Sequence, residues 1–125
     1  MRKQQSRQLT EAELRVMNAL WAKERATVGE IVEAIDTRPP LAYSTVLTML
    51  RILETKGFVR HEKEGRAFVY EPAVARSEAR SGALKHLLSR FFDNSPELLV
   101  ANLIDDEQIS TKELARLKQL ITEHK

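Results

Sequence analysis

Between Tyr43 and Thr55 the sequence YSTVLTMLRILET sets hydrogen-bonding side chains at helical spacing. If Val46, Leu50 and Leu53 share one face, widened by Leu47 and Met49, then Ser44, Thr45, Thr48, Arg51 and Thr55 fall on the other, with Tyr43 at its start. A slim face of this kind suits the major groove of DNA. Its hydroxyls can reach bases or phosphates, and an arginine there can make a charged or bidentate contact. Taken alone, Ser and Thr more often simply cap and solvate a helix start. A second feature favours the groove: Lys63 and Arg66 lie in the polar segment EKEGR, at the tip of an expected hairpin that would flank the same groove and meet phosphates. Glu62 and Glu64 beside them hold each hairpin to a few such contacts.

Other chemistry is poorly supplied. The chain has no Cys, which excludes a disulfide, a thiolate metal site and a cysteine nucleophile and suits a reducing compartment. His61, His86 and His124 show no i, i+4 pair for a metal. No nucleophile elbow, phosphate-binding loop or dinucleotide fingerprint is present. The expectation is a protein that is not an enzyme and takes no cofactor and no metal.

The elements that must position the polar face can be read from capping and periodicity. In LTEAELRVMNALWAK, Thr10 and Glu13 form a capping box, with Leu14, Met17 and Trp21 following at i, i+3, i+7. Arg25–Val28 is short and β-branched at its end, and Ile31 and Ile35 mark a second helix that Pro39 and Pro40 prevent from running on. The polar-faced helix comes next, terminated by Gly57, and then FVRHEKEGRAFVYEP forms a hairpin with Gly65 at the positive-φ position and Pro72 at its end. Helix, short strand, two helices and a hairpin make a winged helix-turn-helix.

The rest reads as helix throughout. Leu84, Leu87, Leu88, Phe91 and Phe92 form a wide apolar stripe. Ser95-Pro96 opens a short helix containing Leu98, Leu99 and Val100, and the capping box Ser110–Glu113 opens a last one with Leu114, Leu117 and Ile121. Three short amphipathic helices cannot bury every stripe alone, so pairing with a second copy is expected. The residues expected at that interface are Leu84, Leu88, Phe91, Phe92, Leu99, Leu103, Leu114, Leu117 and Ile121.

Composition agrees with a small globular protein. A length of 125 residues, 42% hydrophobic and 30% charged, fits one compact domain or two very small ones and no large enzyme. The net charge is only +2, and all the excess lies in residues 1–72, with 12 Lys and Arg against 10 Asp and Glu, while residues 73–125 balance at 8 and 8. Arg2, Lys3 and Arg7, with no acid among residues 1–8, give the composition of a basic arm able to lie along a phosphate backbone. The opening MRKQQSRQLT lacks the apolar stretch of a signal peptide, and no window approaches the ~18 apolar residues of a membrane span. A soluble, cytoplasmic chain without membrane insertion is therefore expected.

The stretches LTEAELRVMNALWAKERATVGEIVEAI, LAYSTVLTMLRILETKGFVRHEKEGRAFVYEP and FFDNSPELLVANLIDDEQISTKELARLKQLI resemble the penicillinase repressor family, which includes the methicillin-resistance and copper-responsive repressors. The resemblance covers about residues 9–122. It implies a homodimeric winged-helix repressor on an inverted-repeat operator, dimerised through its C-terminal helices. The implied DNA contacts are Tyr43, Ser44, Thr45, Thr48, Arg51, Lys63 and Arg66, the residues already singled out.

Three departures stand out. Copper-responsive relatives carry a C-terminal cysteine cluster, which this chain lacks. In antibiotic-responsive relatives a membrane metalloprotease pathway ends in cleavage of an Asn-Phe bond, and the matching bond here, Asn102-Leu103, keeps an apolar group without the ring. Ile52 stands where relatives often place a basic residue.

The expected architecture is mainly α with a small β wing: a basic arm over residues 1–8, a winged-helix DNA-binding domain over 9–72, and a helical dimerisation region over 73–125. Two other readings stay open. One is a ligand-sensing regulator with a pocket lined by Trp21, Phe91 and Phe92, and the other is a protein-interaction module that uses the fold without DNA.

Overall fold

The computed structural model describes residues 8–35 and 40–124. The expected basic arm, apart from Gln8, and the expected stop at Pro39 lie outside them. The chain divides into two compact units, one ending at Arg80 and the other beginning at Ser81.

The first unit opens with α1 (Glu11–Lys23) and continues through β1 (Ala26–Thr27), α2 (Val28–Ala34), α3 (Tyr43–Lys56), β2 (Val59–Glu64) and β3 (Ala67–Pro72). Capping boxes start both α1, through Thr10 and Glu13, and α2, through Thr27 and Glu30, so the first free N–H groups of each helix find side-chain oxygens. Because Thr27 is both the last residue of β1 and the cap of α2, strand passes into helix without a loop. Ile35, expected inside that helix, is instead its extended C-cap at φ −80 and ψ 122. Gly57 ends α3 in the left-handed region at φ 90, where its N–H and that of Phe58 bond back to the carbonyls of Glu54 and Leu53.

The stripe of α1 differs from the expected one. Val16, Met17 and Leu20 are fully buried, whereas Leu14 is 41% exposed and Trp21 half-buried. The core therefore lies one position round the helix, toward Glu13. That carboxylate is tolerated inside because Lys56 and the Thr10 N–H both bond to it, at 2.8 and 3.0 Å. From α3, Val46, Leu50 and Leu53 are fully buried, as their spacing predicts, and each contributes about 1.5–3 kcal/mol by leaving water. Ile31, Phe58, Val59 and Tyr70 complete the cluster.

The sheet runs β1-β3-β2, antiparallel throughout. Gly65 turns the hairpin at φ +62, as expected. The hairpin is also anchored to the domain: Ala26 pairs with Tyr70 and Thr27 with Val69, which carries β3 across the base of α2.

The second unit lies within α4 (Arg76–Phe91), which crosses the boundary, α5 (Pro96–Asp105) and α6 (Thr111–Glu123). Asp93 and Asn94, both at positive φ, turn the chain after α4, a conformation that short Asx side chains accept readily. Ser95 caps α5 and Ser110 caps α6 in a full capping box. None of the three helices has a single buried residue. Among the described residues no helix is long and apolar enough to cross a membrane.

Candidate nucleic-acid interface

Once Val46, Leu50 and Leu53 are turned inward, a 3.6-residue period leaves Ser44, Thr48, Arg51 and Thr55 along the centre of the opposite face of α3, with Thr45 and Ile52 on its flank. Ser44, Thr45, Thr48 and Arg51 are all exposed, and Tyr43 is 57% exposed at the start of the helix. No side chain caps this end, because Ala42 holds the N-cap position. The Ser44 and Thr45 hydroxyls are thus not used as the N-cap, which was the alternative their position offered. Thr55 is partly engaged, its hydroxyl donating to the Arg51 carbonyl at 3.1 Å. Ile52, 42% exposed, makes the flank of the face apolar.

The register of the hairpin sorts its side chains onto two faces. Arg60 lies opposite Glu71, Glu62 opposite Val69 and Glu64 opposite Ala67 on one; His61 lies opposite Tyr70 and Lys63 opposite Phe68 on the other. The second face is joined to α3. His61 Nδ1 lies 2.8 and 3.0 Å from the two carboxylate oxygens of Glu54, and its ring sits 5.1 Å from those of both Phe68 and Tyr70. Burial pushes the Tyr70 hydroxyl above its usual pKa, with the charge of Glu54 adding to it. The link between His61 and Glu54 fixes the hairpin beside the second half of α3, so Arg51 and Lys63 belong to one supported surface.

Lys63 and Arg66 are exposed and, like Arg51, have no carboxylate within ion-pair distance among the described residues. The acids next to them are occupied. Arg25 lies 2.5 Å from Glu64, 3.8 Å from Glu62 and 3.5 Å from Glu71, and Arg60 lies 2.8 Å from Glu71. The hydrogen bond to Glu64 raises the pKa of the Arg25 guanidinium further, with the charges of Glu71 and Glu62 adding to it. Sequence reasoning missed both the Arg25 cluster and the link from His61 to Glu54. The first depends on β1 pairing with β3 across some 40 residues, which no local pattern announces; the second could be suspected from a Glu and a His straddling a helix terminator.

Of the residues expected at a dimer interface, all but Phe92 sit on helices of the second unit, and Phe92, expected within the helical stripe, lies in the bend just past α4. Phe91 is 68% exposed, Ile121 66% and Leu84 46%, Leu117 is also exposed, and Leu88, Phe92, Leu99, Leu103 and Leu114 are half-buried. Asn102 and Leu103 lie within α5, where the Asn102 side-chain amide donates to Asp106 at 2.9 Å. Of the residues expected to line an effector pocket, Trp21 belongs to the first unit, where its indole N–H donates to the Val74 carbonyl at 2.9 Å and the Arg76 guanidinium lies 5.3 Å from its ring. Phe91 and Phe92 belong to the second. Among the described residues no group of three or more His, Asp or Glu side chains could hold a metal ion.

Comparison with known proteins adds a family to this geometry. The sequence pattern described as Penicillinase repressor matches residues 9–123. A penicillinase repressor of Bacillus licheniformis is 32% identical over 118 residues, which is 94% of this chain and 92% of that protein. The methicillin resistance regulatory protein MecI of Staphylococcus aureus (strain N315) is 26% identical over 114 residues, covering 91% of this chain and 93% of its own. The solution structure of the DNA binding domain of the repressor BlaI is 35% identical with a TM-score of 0.50, and covers 57% of this chain and 87% of that one.

Proposed function

This chain belongs to the penicillinase repressor family, and from that premise we propose that it is a homodimeric transcriptional repressor that occupies an inverted-repeat operator. Residues 9–72 read a half-site and residues 73–125 hold the pair together. The observation that carries the reading is the outer face of α3 beside the hairpin, where Arg51, Lys63 and Arg66 stand exposed without ion-pair partners among the described residues and next to a row of unburied hydroxyls. Ser44, Thr45 and Thr48 enter the major groove with Tyr43 at the leading end, Arg51 takes a base edge or phosphate, and Lys63 and Arg66 take phosphates alongside. With so few cations per protomer, two half-sites are needed for useful affinity.

The apolar faces of α4, α5 and α6 support the pairing. Phe91, Leu120 and Ile121, each more than half exposed, are covered economically by a second copy through a two-fold, self-complementary contact. Induction then follows from loss of the pair, since one half-site complex forfeits the second set of contacts. Cleavage at Asn102-Leu103 by a metalloprotease pathway is one route to that loss. It requires α5 to unwind first, because the bond is inside a hydrogen-bonded helix and proteolysis proceeds from the opened state. The test is a salt-titrated gel shift with the promoter DNA upstream of the chain's own coding sequence. The expected result is preference for an inverted repeat over unrelated DNA, steep salt dependence and loss of binding in Arg51→Ala; equal, salt-insensitive binding to both DNAs overturns the reading.

A further inference from the structure

The hairpin on its own is a poor ligand for a polyanion. From Val59 to Pro72 its acids Glu62, Glu64 and Glu71 cancel its bases Arg60, Lys63 and Arg66. The acids share one face of the sheet, and Arg25, at the edge of β1, reaches all three, while Arg60 bonds only Glu71. The cluster is solvent-exposed: the side chain of Arg25 is 46% accessible and those of Glu62 and Glu64 68% and 50%. Exposed ion pairs of this kind contribute little to stability. Their consequence is electrostatic, since a fixed positive charge among three carboxylates alters the field that an approaching phosphate backbone meets.

We propose that Arg25 is a positioning residue for the DNA contact: by gathering Glu62, Glu64 and Glu71 it offsets, together with Arg60, two of their three negative charges, so that with Lys63 and Arg66 the hairpin and Arg25 carry a net charge of +1 where the hairpin alone carries none. The inference rests on the repressor reading above and assigns a role to a residue outside α3 and the hairpin. Without Arg25, two of the carboxylates lose their only ion-pair partner among the described residues and repel the phosphates that Lys63 and Arg66 attract. Because the interaction is between exposed charges, it is strong at low ionic strength and screened as the Debye length falls to ~3 Å near 1 M salt.

The experiment measures affinity for the inverted-repeat promoter DNA across salt concentrations for the full chain, Arg25→Gln, the double variant Glu62→Gln/Glu64→Gln, and all three changes together. Arg25→Gln is expected to weaken binding several-fold per hairpin, about tenfold for a two-hairpin complex at ~50 mM salt, with the deficit shrinking as salt rises. The Glu62→Gln/Glu64→Gln variant should bind several-fold more tightly than the parent, and the triple variant should bind at least as tightly as the parent. A merely structural role predicts neither the tightening nor the rescue. An Arg25→Gln deficit that ignores salt and persists in the triple variant overturns the proposal, as does parental affinity in Arg25→Gln. Those results leave the repressor reading intact if the parent still binds with steep salt dependence; a parent that does not distinguish the repeat from unrelated DNA refutes both.

Discussion

Replacing Lys56 with Met should destabilise the first unit by about 2–3 kcal/mol at neutral pH, because this ammonium is what makes a buried carboxylate acceptable. Lys56 Nζ donates to Glu13 Oε1 and to the Gln8 carbonyl, both at 2.8 Å, which joins the end of α3 to the start of α1. The Glu13 side chain is only 6% exposed and that of Lys56 18%, so solvent cannot substitute for the lost partner. In Lys56→Met the stem still packs, and the carboxylate keeps one bond from the Thr10 N–H, which sets the loss at two charged hydrogen bonds rather than a whole side chain. The single tryptophan, Trp21 at the end of α1, reports unfolding of this unit directly in urea.

The pH dependence follows from the same site. Burial alone would raise the pKa of Glu13, but the hydrogen bond and charge of Lys56 and the bonds with Thr10 outweigh it and hold it below the usual carboxylate value. A carboxyl whose pKa is lowered by folding stabilises the protein above its unfolded pKa, about 4.3, and that stability is lost as pH falls through the folded value. The gap between parent and Lys56→Met should therefore be full at pH 7 and narrow in that acid range. Glu13→Gln in the Lys56→Met background should recover much of the loss, since an uncharged amide is cheaper to bury. A Lys56→Met variant within about 0.5 kcal/mol of the parent at pH 7, with no pH dependence, would refute the reasoning.

Two further outcomes are expected. Gly65→Val places a β-branched residue at φ +62 and should cost about 1–2 kcal/mol in urea unfolding and weaken DNA binding through a distorted hairpin tip. Ile121→Asp puts a charge on the exposed apolar face of α6 and should convert the proposed dimer into a monomer in sedimentation velocity, leaving its helix content by circular dichroism unchanged because Ile121 is already 66% exposed.

Most of the fold was legible because its signals are local. Capping boxes at Thr10 and Ser110, the Ser95-Pro96 start, Gly57 as terminator and Gly65 in the turn each act within a few residues of chain, and the triad Val46, Leu50 and Leu53 satisfies one period. What escaped depends on contacts far apart in sequence. Periodicity puts the inward face of α1 one position off because Leu14 outranks Glu13 in hydrophobicity; the partner that the local sequence does not announce is Lys56, 43 residues away, which joins the Thr10 N–H in holding the Glu13 carboxylate. The exposed face of α3 was legible by subtraction from its core face. That the hairpin flanks this face follows from Lys63 and Arg66 in its polar segment; the contacts that fix it there do not, because Glu54 must meet His61 and Arg25 must meet the acids of β2 and β3, and both meetings depend on the sheet.

The most direct test of the whole account is a salt-dependent titration of the full chain on the inverted repeat, on one isolated half-site and on unrelated DNA. The account predicts that the repeat is bound far more tightly than the half-site, that both lose affinity steeply as salt rises, and that Arg51→Ala abolishes the preference over unrelated DNA. Equal affinity for all three DNAs, unaffected by Arg51→Ala, would contradict it.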